Sequence, residues 1–186
     1  WRKGRGNKRP RSAGPTVLLT TDGSRHAHAA LTVAAAGPWP RTAKAHLVLA
    51  RGGIPIGPWP AEMWMANLSG SRDRAVAREV SRARRLVRHR WPDLTVSTMT
   101  TPPITAIVEE ARRRRAGMIV VGSRGLGLTR RLMLGSVSRG VVRRASCPVL
   151  VVKGPRRRIE RVLLATDGSR NASRALGFLR APLEPR

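Results

Sequence analysis

The sequence predicts a doubly wound α/β domain, a parallel five-stranded sheet with helices on both faces. Three observations carry that expectation. Short apolar runs alternate along the chain with longer segments of helical periodicity, the pattern of consecutive βα units. Two of the runs, Met118–Gly122 (MIVVG) and Pro148–Val152 (PVLVV), are apolar without interruption, as strands covered on both faces are. The chain also repeats its own opening: residues 17–31 (VLLTTDGSRHAHAAL) and 162–176 (VLLATDGSRNASRAL) agree at 11 of 15 positions without a gap.

Each element has its own local reason. Val17–Thr21 is a short apolar run stopped by Asp22-Gly23-Ser24, and the Ala-rich stretch Ser24–Ala36 that follows has helical character. A second strand is expected at His46–Ala50. The segment Ala61–Arg90 reads as a long helix, because Val76, Val80, Ala83 and Val87 keep a spacing of three to four residues and mark one buried stripe. Strands at Leu94–Met99, Met118–Gly122 and Pro148–Lys153 alternate with helices at Pro103–Arg115 and Ser136–Ala145.

The repeat divides the chain. Residues 1–14, rich in Arg, Lys and Gly, read as a basic disordered arm. Residues 15–153 hold one complete domain, 154–158 a basic linker, and 159–186 the truncated start of a second domain, with one strand and one helix. Such a fragment cannot bury its apolar faces alone.

Composition narrows the class. Hydrophobic content of 41% supports a packed core. No apolar stretch approaches the roughly 20 residues that span a bilayer, and Trp1–Arg11 has no apolar run of the kind a secretory leader carries. Cys147 is the single cysteine, so an internal disulfide is excluded and a reducing cytoplasm is the expected compartment. The formal charge is +27, from 37 Lys and Arg against 10 Asp and Glu. Only four of the 37 are lysines, a skew that GC-rich codon usage produces, so part of the charge reads as compositional drift.

The chemistry concentrates in GSRGLGLTRRLMLGSVSRGVVRRASCPVLVVK, residues 122–153. Gly122 and Gly125 follow a buried strand, and Gly135-Ser136 open a helix. Glycines let successive backbone N–H groups converge into an anion-binding nest, and the unpaired N–H groups of a helix start add donors. The Ser136 hydroxyl reads as an N-cap and as a phosphate ligand. This segment, with Asp-Gly-Ser after the first strand, resembles the nucleotide-binding signature of the ATP-binding branch of the universal stress proteins. The resemblance covers residues 16–153 and restarts at 159, as in tandem members of that family.

The resemblance implies a Rossmann-like sheet of strand order 3-2-1-4-5 and a ligand, ATP or a related adenine nucleotide with Mg2+ or Mn2+, at the switch point between strands 1 and 4. It implies that Thr20, Thr21 and Asp22 flank the nucleoside, with Asp22 reaching the ribose or a metal, and that the backbone near Ala50 faces adenine. Gly122, Ser123, Arg124, Gly125, Gly135, Ser136 and Val137 are then the ribose and phosphate contacts. Gly127 and Leu128 stand where the family commonly has more polar residues, and Arg124, Arg130 and Arg131 are candidate phosphate clamps in compensation. The edge strand 148–152 is the expected homodimer contact.

Blander roles stand beside these. Asp22 also suits a cap of the first helix, and Cys147, before Pro148, suits a small buried hydrophobe. His26, His28, His46 and His89 lack metal-ligand spacing and read as surface or packing residues, Arg112–Arg115 as a solvated helix end, and Trp39, Trp59, Trp64 and Trp91 as packing. No catalytic dyad, metal cluster or Gly-x-x-x-x-Gly-Lys accompanies the loop, so the expectation is a nucleotide-binding sensor in stress adaptation, with slow hydrolysis at most. The rival is a sequence-blind nucleic-acid or polyanion binder using the arm and the stripe Arg74, Arg78, Arg82 and Arg85, although Tyr is absent and base stacking has little support.

Overall fold

A computed structural model describes residues 14–50, 61–125, 134–154 and 159–180. The expected alternation is present. The order is β1 (Thr16–Thr21), α1 (Arg25–Ala35), β2 (Lys44–Ala50), α2 (Ala61–Val87), β3 (Thr95–Met99), α3 (Pro103–Arg113), β4 (Ala116–Gly122), α4 (Ser136–Arg144), β5 (Val149–Val152) and α5 (Arg170–Arg180). The five strands form one sheet in the order β3-β2-β1-β4-β5, and every pairing is parallel. The chain therefore reverses its direction of travel between β1 and β4, which leaves a crevice at their C-terminal ends.

Strand periodicity sorts the core into two layers. Val17 and Leu19, Leu47, and Met118 and Val120 face one side, where Leu31 and Ala34 of α1 and Ala83 and Val87 of α2 cover them. Leu18, Val48 and Ile119 face the other side, under Ala106 and Ile107 of α3 and Val141 of α4. Both faces are dry, which is why these strands carry no polar alternation. Trp91 is buried in the first layer, donates its indole N–H to the Ala43 carbonyl (3.0 Å) and lies 6.2 Å from the Trp39 ring. Cys147 packs half-buried on the second layer, and burial pushes its thiol pKa up, as expected of a small apolar residue.

Two polar groups interrupt this apolar scheme. His46 is buried between β3 and α3, within hydrogen-bond distance of Thr95 Oγ1 (2.7 Å) and Ser97 Oγ (2.9 Å), and 3.1 Å from Glu110 Oε1. Glu110 is itself buried and clamped by Arg113 (2.6 Å) and Arg114 (2.5 Å). The expectation of a merely solvated arginine cluster is corrected for these two residues. They neutralise a carboxylate that α3 carries on its buried face.

The second copy of the repeat behaves differently from the first. The strand expected at its start is absent among the described residues, and Val162 and Leu163 are exposed. The helix does form, as α5, and Phe178 packs partly buried on the first core layer. A helix closes its hydrogen bonds internally, whereas a strand needs a neighbour, and among the described residues this segment has no strand beside it. Gly14, counted above with the arm, is buried against the backbone of Thr42. Residues 1–13 and 155–158 lie outside the described residues.

Candidate functional site

The crevice is built from four pieces of chain. The first is the turn after β1. Gly23 adopts φ +84°, a conformation that favours glycine, and the turn closes with Asp22 Oδ1 accepting from the Ser24 amide (3.0 Å) and Thr21 Oγ1 accepting from the Gly23 amide (3.1 Å). Ser24 caps α1 by accepting from the Ala27 amide (3.2 Å). The expected capping role of Asp22 is therefore filled two residues later, by Ser24.

The whole turn is repeated at the second copy, where Gly168 has φ +75°, the Ser169 amide donates to Asp167 Oδ1 (2.9 Å), and Ser169 Oγ accepts from the Ala172 amide (3.2 Å). Thr-Asp-Gly-Ser thus encodes this geometry locally, with or without a sheet behind it. What the first copy alone possesses is the company of β4 and α4.

The second piece is the segment that leaves β4. Gly122 lies so close to α1 that a Cβ there would sit 2.7 Å from the Ala27 amide nitrogen. At Gly125 a Cβ would run into the Oδ2 atom of Asp22. The glycine spacing therefore records two close approaches, and the second brings the loop against the Asp22 carboxylate. Ser24 Oγ ties the loop down by donating to the Arg124 carbonyl (3.3 Å).

The third piece is the start of α4. Gly135, not Ser136, is its N-cap, so the capping role expected of Ser136 is corrected. Ser136 is the first helical residue and its side chain is exposed, so it is not positioned to cap. The first turn is held by Ser138, whose hydroxyl lies 3.1 Å from the Ser123 carbonyl and 3.0 Å from that of Gly135. The Gly135 amide also donates to Ser123 O (2.8 Å), which fixes the helix start against the loop. The first intrahelical bond is Arg139 N–H to Gly135 O, so the amides of Ser136, Val137 and Ser138 have no intrahelical acceptor. Beside them the Ser123 hydroxyl is buried and has no hydrogen-bond partner among the described residues. Unspent donors at a helix start are the chemistry of an anion site.

The fourth piece was not foreseen. A cavity of about 340 Å3 opens beside Asp22 and Gly23, floored by Leu49 and walled by Ala75, Val76, Arg78, Glu79 and Arg82 of α2. Glu79 accepts from Thr21 Oγ1 (2.6 Å) and lies 3.0 Å from His28 Nε2, joining α2 and α1 to the turn after β1. The signal for Glu79 was in the sequence: it is a carboxylate on the apolar stripe, three residues after Val76 and four before Ala83.

The other expected residues distribute as follows. Thr20 and Thr21 are buried with their hydroxyls engaged, Thr20 donating to the Val120 carbonyl (3.1 Å). Ala50 ends β2 and is buried, and Val137 packs partly buried on the second core layer. Gly127, Leu128, Arg130, Arg131 and Trp59 lie outside the described residues. Among the described residues no group of three or more His, Cys, Asp or Glu could hold a metal ion, and no helix is long and apolar enough to cross a membrane.

A doubly wound parallel sheet with a glycine loop and an open helix start at its switch point defines a class of α/β proteins built to receive a ligand at the strand ends. Within that class, the chain belongs to the universal stress protein family, which residues 15–153 match. It is 35% identical over 142 residues to a universal stress protein of Thermus aquaticus, a match covering 74% of this chain and 98% of that one. A universal stress protein of Methanocaldococcus jannaschii is 46% identical over 55 residues, 30% of this chain and 32% of the relative. Among solved structures, UspA from Lactobacillus plantarum superimposes with a TM-score of 0.63 at 21% identity, over 76% of this chain and 99% of that chain, a likeness of fold.

Proposed function

We propose that this chain binds ATP or a related adenine nucleotide at the β1–β4 switch point and acts as a nucleotide-linked regulator in stress adaptation. The observation that carries the reading is the buried, partnerless Ser123 hydroxyl beside three α4 amides with no intrahelical acceptor. A buried polar group without a partner is costly, and an anion that accepts from it removes the cost. In this reading the phosphates lie over Gly125, Gly135, Ser136 and Val137, with Gly122, Ser123 and Arg124 lining their approach. The ribose meets Asp22, next to Thr20 and Thr21, and adenine lies toward the backbone at Ala50. Magnesium or manganese would be held chiefly by the phosphates, with Asp22 as the nearest carboxylate, and would neutralise their charge. Bound nucleotide stabilises the folded state by mass action, which gives the protein a physical route to sensing.

In the same reading the protein works in the cytoplasm as a homodimer joined through β5, an edge strand of the sheet, and residues 159–186 begin a second domain. In this reading ATP turnover is slow at most. The test is a titration of isotope-labelled protein with ATP and magnesium followed by amide chemical shifts. Saturable shifts centred on the crevice, at Asp22, Ala50, Gly125, Ser136, Val137 and Ser138, support the reading. Shifts spread over the helix surfaces, with none at the start of α4, reject it.

One observation favours a second reading. Arg139, Arg143 and Arg144 of α4 and Arg112 of α3 are exposed on one helical layer, and Arg74, Arg84, Arg85 and Arg88 of α2 and its end on the other. Polyanion binding by these faces falls steeply with salt, whereas the crevice is less sensitive, so binding random DNA tightly in 200 mM salt ("about physiological" screening) favours this alternative.

A further inference from the structure

Glu79 stands on the buried stripe of α2, yet its carboxylate lines the cavity beside Asp22 and Gly23. Its side chain is only 13% exposed, and three elements hold it in place. α2 carries it, Thr21 Oγ1 at the end of β1 donates to Oε1 (2.6 Å), and His28 of α1 sets Nε2 3.0 Å from both carboxylate oxygens. A ring nitrogen between two carboxylate oxygens must carry a proton, so His28 donates through Nε2–H. A carboxylate offers about four lone pairs. Thr21 takes one on Oε1, and the shared His28 proton reaches each oxygen once, so these two donors leave Oε2 with acceptor capacity. That oxygen lies beside the turn that carries Asp22, since a Cβ at Gly23 would stand 3.6 Å from it.

The crevice is therefore polarised. At the start of α4 it presents donors, the Ser123 hydroxyl and the amides of Ser136, Val137 and Ser138. Around Asp22 and Glu79 it presents two carboxylates, which only accept. Ligand atoms that meet them must donate, and sugar hydroxyls do so where phosphate oxygens do not. Arg78 and Arg82 on the same wall offset the two negative charges, and Leu49, Ala75 and Val76 supply the apolar surface that suits a base. Asp22 already accepts the Ser24 amide at Oδ1, so a neighbouring pair of hydroxyls calls for a second acceptor.

Resting on the nucleotide reading above, which sets the ribose at Asp22, we propose that Glu79 is the second acceptor for the ribose hydroxyls and makes the site selective for ribonucleotides over deoxyribonucleotides. Thr21 and His28 are positioning residues: they hold the carboxylate in the orientation that meets the sugar. A ligand lacking the hydroxyl covers Oε2 without supplying a donor, and that mismatch is the source of the selectivity.

The probes are ATP, 2′-deoxy-ATP and 3′-deoxy-ATP, each with magnesium, titrated calorimetrically into the full chain, Glu79→Ala and Glu79→Gln, with thermal unfolding of each protein. The parent is expected to bind ATP about tenfold or more tighter than one of the two deoxynucleotides, the scale of a hydrogen bond to a charged acceptor. In Glu79→Ala that ratio should fall to about twofold or less, since no acceptor remains to miss the hydroxyl. Glu79→Gln keeps an acceptor for Thr21 but replaces the charged group by a neutral amide, so its ratio should fall to about threefold or less. The ratio isolates the contact between Glu79 and the hydroxyl, because general damage to the site weakens all three nucleotides alike. Equal affinities for the three in the parent, or a parental ratio in either folded variant, overturn the role of Glu79 and leave the nucleotide reading standing. Failure of the folded parent to bind any of the three overturns both.

Discussion

Replacing Gly125 by alanine tests the junction between loop and carboxylate on which the site depends. The new Cβ would overlap Asp22 Oδ2, and the overlap can be relieved in two ways. Asp22 can swing aside, which breaks its 3.0 Å bond to the Ser24 amide. Alternatively the loop can lift, which strains the 2.8 Å bond from the Gly135 amide to Ser123 O and the 3.3 Å bond from Ser24 Oγ to Arg124 O. Either route costs about one hydrogen bond, roughly 1 kcal/mol, plus residual overpacking, so about 1–2 kcal/mol in all. For a chain of this size that lowers Tm by about 2–8 °C. The effect on ligand should be larger, because both routes displace groups that line the crevice: ATP affinity should drop at least about tenfold, the loss of one charge-assisted contact. Thermal unfolding read beside an ATP titration separates the two effects. Gly177→Ala is the control, since its Cβ meets nothing within 4 Å and α5 contributes nothing to the crevice. A Gly125→Ala protein with parental Tm and parental ATP affinity would refute the reasoning.

Two further outcomes follow from the buried polar groups. Burial, and then the charge of Arg114, lowers the His46 pKa from 6.5 to about 4, so the native state keeps the imidazole neutral where the unfolded chain takes up a proton. The unfolded state binds more protons between those values, so this contribution is complete above pH 6.5 and is lost on acidification toward pH 4. The loss amounts to about 3 kcal/mol. Glu110, held at about 2 chiefly by the Arg113 hydrogen bond, adds a loss as pH falls from 4.5 to about 2. Urea unfolding at pH 7 and pH 5 should show the drop, His46→Asn should flatten it, and equal stability at both values would contradict the network. Glu79→Ala strands the Thr21 hydroxyl and the His28 ring nitrogen, which costs about 1–2 kcal/mol and lowers Tm by about 2–8 °C, whereas Glu79→Gln retains most of the stability. Identical melting of the alanine and glutamine variants would exclude that bonding role.

The sequence and the structure agree most closely where periodicity is set by burial. The central strands β1, β2 and β4 were legible because they are buried on both faces, and α2 because Ala83 and Val87 lie on its buried stripe; the half-exposed edge strands β3 and β5 were read from their alternation with helices. The crevice was legible in Asp22, Gly122, Gly125 and Gly135, since close approach leaves glycine as its mark. The polar residues on buried helix faces were missed. Glu79 and Glu110 each sit on an apolar stripe, and a period read from apolar residues alone passes over the carboxylate between them. Their partners come from other elements or from the helix end, His28 for one and Arg113 and Arg114 for the other, and only folding brings them together. The repeat misled in one respect. A sequence of strand character is not a strand without a neighbour, so Val162–Leu164 remain irregular while the adjoining turn and α5, which bond locally, take the form of the first copy.

The most direct test of the central claim is a calorimetric titration of the parent and of Gly135→Val with ATP and magnesium, with thermal unfolding of both. A Cβ at Gly135 would already lie 3.1 Å from the Ser123 carbonyl oxygen, so valine displaces the start of α4 from the loop. The account predicts saturable one-site binding by the parent and its loss in a variant that still unfolds cooperatively. A folded parent that binds no adenine nucleotide, or a variant that binds it as well as the parent, would contradict the account.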